Sequence, residues 1–257
     1  TLTLGGHVSS EYDYLSLGGN ASITRDFNRK NTTVGLSAAF SRDEISPEGG
    51  IPIPFAVMPL SGGTLPREGS SDTKTVIDLV LSLTQIVDRN TVAQFNYSFS
   101  RGTGYMTDPF KVLSVVEPEG SDNAGDPVEY VYEGRPDTRT KHALFGRARR
   151  FVLGNALDLS YRYFWDDWGI NSHTVDLFYR QHLGGGHALE PHLRWYHQSE
   201  ADFYRAFLVD GESLPANASA DYRLAQFDAY TAGLQYYLPI NRQINLTIAG
   251  EYYIQRG

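Results

Sequence analysis

The sequence contains no cysteine, only two methionines and only three tryptophans. Without thiols there is no disulfide, no thiolate metal site and no cysteine nucleophile. Long apolar runs are also missing. No stretch approaches the roughly 18 consecutive apolar residues that a membrane-spanning helix requires, and a mean hydropathy of −0.35 excludes a bundle of such helices. Cations are outnumbered, with 22 Lys and Arg against 30 Asp and Glu and a formal net charge of −8. That balance argues against a general nucleic-acid binder, which must neutralise phosphates. No amino-terminal leader is evident. Thr1 already lies in strand-like sequence, so a leader is expected to precede it.

What the chain does have is aromatic residues and glycine: 17 Tyr, 13 Phe and 25 Gly in 257 residues. Its main signal is an alternation of apolar and polar residues, repeated in segments of about 10–14 residues. Between Thr91 and Arg101, the residues Ala93, Phe95, Tyr97 and Phe99 alternate with Gln94, Asn96, Ser98 and Ser100. Leu157, Leu159, Tyr161, Tyr163 and Trp165 alternate with Asp158, Ser160, Arg162, Phe164 and Asp166. Ile244, Leu246, Ile248, Gly250, Tyr252 and Ile254 form a third such face. Successive strand side chains point to opposite sides, so each segment has one greasy face and one wet face. The pattern predicts strands near 1–8, 14–27, 31–44, 74–87, 91–103, 139–151, 156–166, 171–183, 187–199, 224–238 and 243–255.

The connections between these strands fall into two sets. Asn28–Lys30, Asp88–Asn90, Leu153–Asn155, Gly184–Gly186 and Pro239–Arg242 are short. The alternate set contains the long ones, Ser46–Thr73, Gly104–Thr138 and Glu200–Arg223, together with the short Ser9–Asp13 and Asp167–Ile170. Short periplasmic turns and longer external loops characterise outer-membrane barrels. A soluble barrel or sandwich has no reason to place every long loop at one end, or a row of Leu, Val, Phe, Tyr and Trp on nearly every strand. The fold expected is therefore all-β: a single transmembrane antiparallel up-and-down β-barrel over residues 1–257, in the bacterial outer membrane. Single-chain bacterial barrels have an even strand number. Eleven predicted strands thus call for a twelfth beyond Gly257, about twelve in all.

Three segments carry a resemblance. They are Ser10-Glu11-Tyr12-Asp13-Tyr14, the run from Tyr161 to Thr174 that contains Trp165-Asp166-Asp167-Trp168, and Glu190-Pro191-His192-Leu193-Arg194-Trp195-Tyr196. Together they resemble a bacterial family catalogued as domain of unknown function 3570, over most of the chain. Its members are predicted outer-membrane barrels, often encoded near a small lipoprotein and flavin-transfer proteins. The resemblance implies location and architecture, and a small lipoprotein or other envelope protein as a partner. It supplies no substrate and no catalytic residue.

Parity assigns a charged network to the lumen: Arg147, Arg149, Asp158, Arg162, Asp176, Arg180, His182, Glu190, His192 and Arg194. Residues opposite each other on antiparallel strands lie about 5 Å apart, so acids and arginines can pair across the wall. Such a network either fills a narrow barrel or lines a channel for a small polar or anionic solute. At the rim, Asp166 and Asp167 stand near His173, a combination able to activate water for hydrolysis. The plainer reading is a tight loop anchored by Trp165 and Trp168 at the lipid interface. Ser172 is adjacent to His173, but neighbours on a strand face opposite ways.

The loop Gly104–Thr138 is acidic, with Asp108, Glu117, Glu119, Asp122, Asp126, Glu129, Glu133 and Asp137. It reads as solvated surface or as a weak Ca²⁺ site; no other cofactor is expected. The loop Ser46–Thr73 differs. Its stretch Ile51-Pro52-Ile53-Pro54-Phe55-Ala56-Val57-Met58-Pro59-Leu60 is apolar and proline-rich, and is expected to pack on protein rather than lengthen the wall. The functional expectation is a narrow channel, or a membrane scaffold for a partner protein, surrounded by outer-membrane lipid and lipopolysaccharide. A rim hydrolase and an adhesive barrel that presents its loops are the alternatives.

Overall fold

The computed structural model describes residues 1–60 and 62–257. Among the described residues sixteen strands follow one another: β1 (Leu2–Ser10), β2 (Tyr14–Phe27), β3 (Thr32–Ile45), β4 (Ile51–Pro52), β5 (Arg67–Gly69), β6 (Asp72–Asp88), β7 (Thr91–Gly104), β8 (Val112–Val116), β9 (Pro127–Tyr132), β10 (Thr138–Val152), β11 (Asn155–Asp166), β12 (Asn171–Gly184), β13 (His187–Gln198), β14 (Leu208–Val209), β15 (Phe227–Pro239) and β16 (Asn245–Arg256). Eleven of them form one sheet in the order β1-β2-β3-β6-β7-β10-β11-β12-β13-β15-β16. Every neighbouring pair is antiparallel. This is the up-and-down order of an outer-membrane barrel wall. β1 and β16 form the two edges, each paired on one side only among the described residues.

The register carries one parity across the whole wall. Leu159 on β11 stands opposite Ala148 and Leu177; Leu177 stands opposite Leu193, Leu193 opposite Ala232, and Ala232 opposite Tyr252. All belong to the outer face. This face bears the exposed Leu4, Leu17, Leu36, Leu81, Leu159, Leu193, Ile248 and their neighbours. At about 25 cal/mol per Å² of apolar surface, a continuous belt of that kind is stable only against lipid. The next row, Arg147, Ser160, Asp176, Arg194, Thr231 and Tyr253, belongs to the inner face.

Tight turns set the register at one end. Leu153 and Gly154 both adopt positive φ, 51° and 83°, between the paired Val152 and Asn155. A two-residue hairpin with two left-handed residues matches the strand twist. At Asp88, the carboxylate accepts from Asn90 N at 2.7 Å and from Thr91 Oγ1 at 3.1 Å.

The opposite end carries a small folded cap built by three long connections. β8 and β9 pair, and β14 joins β8 in parallel. The segment around Val57 adds to β9: Phe55 N donates to Tyr132 O, and Met58 N to Tyr130 O. The cap has two water-excluded clusters. Leu113, Val115, Val131, Leu208 and Ala218 form one, with Phe55 and Ala220 against it. Trp168, Ile170, Ala201, Phe203 and Leu224 form the other. One strand start and one loop depart from the sequence reading. β15 starts at Phe227 rather than 224, because Tyr222–Leu224 forms a 3₁₀ turn whose Leu224 is buried in the cap. The acidic loop is not simply solvated, since its Glu133 is fully buried.

Candidate functional site: a charged inner face beneath a loop cap

The inner face is built unequally. On β1–β7 its middle presents Ser16, Gly18, Asn20, Ser22, Ser37, Ser82 and Ser98, which are small and uncharged, while Asp43, Lys74 and Asp78 lie toward the cap. Glycine fits at position 18 because a Cβ there would lie 2.7 Å from the Phe40 carbonyl oxygen, besides 2.2 Å from the His7 ring. On β10–β16 the same face carries long charged side chains. Arg147 grips Asp158 with two bonds, Nε to Oδ1 at 2.7 Å and Nη2 to Oδ2 at 2.5 Å, the strong bidentate arrangement. Arg149 Nε lies 3.9 Å from the same carboxylate. Asp176 stands 3.1 Å from His192 Nε2 and 3.8 Å from Arg194. His192 Nδ1 is 3.1 Å from Glu251 Oε1, so both contacts are hydrogen bonds only if both ring nitrogens carry protons. The ring stacks on Phe178 with centroids 4.0 Å apart. Gly233 leaves the space through which Glu251 reaches it. Arg180 lies over Tyr237 at 3.8 Å and within 4.0 Å of Glu190. Arg162 lies over Phe164 and makes no ion pair among the described residues.

The rim residues are not brought together. Asp166 faces inward, where Arg139 donates to Oδ2 from Nε at 2.8 Å and Nη2 at 2.5 Å. Its Oδ1 accepts from Trp168 N and Ile170 N, so this carboxylate fixes the turn. Asp167 Oδ1 accepts from Thr140 N at 2.8 Å. His173 is opposite His197 on the outer face, with Tyr161 Oη 2.7 Å from its Nδ1. Acid and imidazole therefore lie on opposite sides of the wall, and the hydrolytic pairing read from the sequence does not form. The cause is the strand parity that also separates Ser172 from His173. Trp165 and Trp195 do lie on the outer face, within an aromatic belt near the capped end. Trp168 does not. It is buried in the cap against Phe203, and its Nε1 donates to Thr138 O at 2.8 Å.

The cap is locked by a buried ion network that the sequence reading missed. Glu133 and Asp221 are essentially inaccessible. Arg135 lies between them, 2.6 Å from Glu133 Oε1 and 2.9 Å from Asp221 Oδ2. Ser219 Oγ and Asp108 N also donate to Glu133, and Arg223 grips Asp221 and reaches Asp108. Burial alone would raise the Asp221 carboxyl, but the bonds from Arg223 and Arg135 outweigh it and hold the group at about 2. Asp221 in turn raises Arg223. Among the described residues no three of His, Asp and Glu form a cluster suited to a metal ion.

Of Ile51, Ile53, Phe55, Val57 and Leu60 in the loop 46–73, two pack as expected: Ile51 is buried and Phe55 rests on the first cluster. Ile53, Val57 and Leu60 are exposed. Phe55 adopts a positive φ of 60° in a turn between the two pairings, so the segment is not a regular strand and docks by part of its surface only.

The family model described as protein of unknown function (DUF3570) matches residues 1–257, and the chain belongs to that family. No curated protein matches it. Among solved structures it is similar to the ferric enterobactin receptor of Pseudomonas aeruginosa, with 11% identity and a TM-score of 0.56 over 99% of this chain and 39% of that one. It is also similar to the closed form of the ferric-catecholate import receptor Fiu of E. coli K12, with 12% identity and a TM-score of 0.51 over 99% and 45%. Both are outer-membrane β-barrels, and the chain spans less than half the length of either. At these identities the likeness is one of fold.

Proposed function

We propose that this chain is a narrow channel of the bacterial outer membrane, with its short turns toward the periplasm and its cap outside. Lipid and lipopolysaccharide surround the apolar outer face. The observation that carries this reading is the unequal inner face. Small neutral side chains along the middle of β2, β3, β6 and β7 leave room for water, while the Arg–acid ladder on β10–β13 supplies fixed charge along the path. Rows of charge facing a polar lumen filter solutes by sign and size. The cap narrows the outer entrance. The relatives by fold are receptors rather than enzymes, and the rim geometry offers no hydrolytic pair, so the reading is non-enzymatic.

The test is conductance in planar bilayers. The full chain is expected to give small single-channel steps, and removal of residues 51–60 is expected to enlarge them by loosening the cap. No conductance from either form rejects the channel. A second reading has its own observation: Leu60, Phe110, Phe207 and Leu214 of the cap are more than half exposed, an apolar surface on which an envelope protein such as a small lipoprotein can dock. A non-conducting chain that co-purifies with such a partner favours this scaffold role.

A further inference from the structure

Where the cap meets the wall there is a cavity of about 200 Å³, and every charged side chain that lines it is a cation: Lys74, Arg135, Arg139 and Lys141. Met106 and Trp168 close it from the cap side. No carboxylate lines the space. The acids stand behind the cations and fix their positions. Asp43 holds Lys74 at 3.5 Å, Glu133 and Asp221 hold Arg135, and Asp166 holds Arg139, whose guanidinium also lies over Trp168 at 4.2 Å. Those contacts use Nε and Nη2 of both arginines. They leave Nη1 of each without a hydrogen bond inside the protein among the described residues.

Lys141 differs from its neighbours. It is partly buried on the inner face, in one row with Asp78, Ser100 and Asp166, yet neither carboxylate comes within ion-pair distance of it among the described residues. An ammonium group partly withdrawn from water with no carboxylate in direct contact is costly. An anion in the cavity removes that cost and also meets the spare guanidinium donors. At roughly 30 Å³ per water, the space holds a compact ion with a few waters rather than an extended ligand.

The geometry points to a binding site for a compact oxyanion, of the phosphate or sulfate type, at the junction of cap and wall. Planar guanidiniums suit such oxygens in pairs, and lysine adds a point charge. The site is a property of the folded chain and does not depend on conduction, so it goes beyond the channel reading.

The experiment titrates inorganic phosphate into the full chain in nanodiscs by calorimetry, at constant ionic strength in chloride. Saturable binding near one phosphate per chain is expected. Lys141→Gln should weaken it about tenfold or more, the worth of a charge-assisted contact. Lys141→Arg, which keeps the charge, should restore it, and Lys30→Gln in a distant turn should leave it unchanged. Absence of saturable heat, or equal affinity in the native chain and Lys141→Gln, overturns the site. Phosphate binding by a chain that conducts nothing rejects the channel and leaves this site standing.

Discussion

The wall and the cap are stabilised in different ways. In the wall, large apolar side chains such as Leu36, Leu81 and Leu193 are about half exposed. Its order comes from an unbroken antiparallel ladder, and its apolar face needs lipid. In the cap, Leu113 and Ala218 are wholly buried, and Glu133 and Asp221 are buried with their cations. The cap is the part of the molecule with an ordinary water-excluded core. A wall of this kind tolerates polarity on one face only, whereas a cap of this kind depends on a few groups that have no substitute.

The largest expected effect breaks the cap alone. Asp221→Ala leaves Arg135 and Arg223 without their shared partner. Removal of one member of a buried ion pair costs about 3–5 kcal/mol. Limited proteolysis should then cleave within residues 104–138 and 200–226 while the strands of the wall stay intact. Protection equal to that of the native chain would show that the network does not lock the cap.

These two regions also differ in how far the sequence discloses them. A strand that separates lipid from water must alternate at every step, so Leu157 to Asp166 announces both its conformation and its faces. Glu251 was legible in the same way, on the polar side of the Ile244–Ile254 alternation. The cap offers no such signal. Arg135 meets Asp221 across 86 residues of chain, and Val112–Val116 is too short, and too close to acidic turns, to stand out as a strand. Trp168 reads as an interfacial tryptophan by composition, yet the carboxylate of Asp166 turns its backbone into the cap. Local period reports an environment that is uniform along a strand; it does not report contacts assembled from distant loops.

A smaller effect breaks the wall alone. Leu177→Arg places a cation on the outer face, at a cost of about 2–4 kcal/mol near mid-membrane. Folding into bilayers should weaken by that amount in denaturant titration, with the cap unaffected once the chain is inserted. No loss would mean that this face does not meet lipid.

Acid sharpens the comparison further. The Asp221 carboxyl is held at about 2, below its ordinary 3.8. Its contribution is complete above about pH 4 and is lost as pH falls toward 2. Hydrogen exchange should rise in the cap over that window before the wall exchanges. Simultaneous loss of both would join them into one cooperative unit.

The central claim is that the two faces of the wall see lipid and water in strict alternation, and the absence of native cysteine makes a thiol scan direct. Each residue from Leu157 to Arg162 is replaced by cysteine in turn, in chains reconstituted into liposomes, and exposed to a small charged methanethiosulfonate reagent. Asp158→Cys, Ser160→Cys and Arg162→Cys should react, while Leu157→Cys, Leu159→Cys and Tyr161→Cys should be protected. Equal reactivity along the segment, or the reverse alternation, would contradict the account.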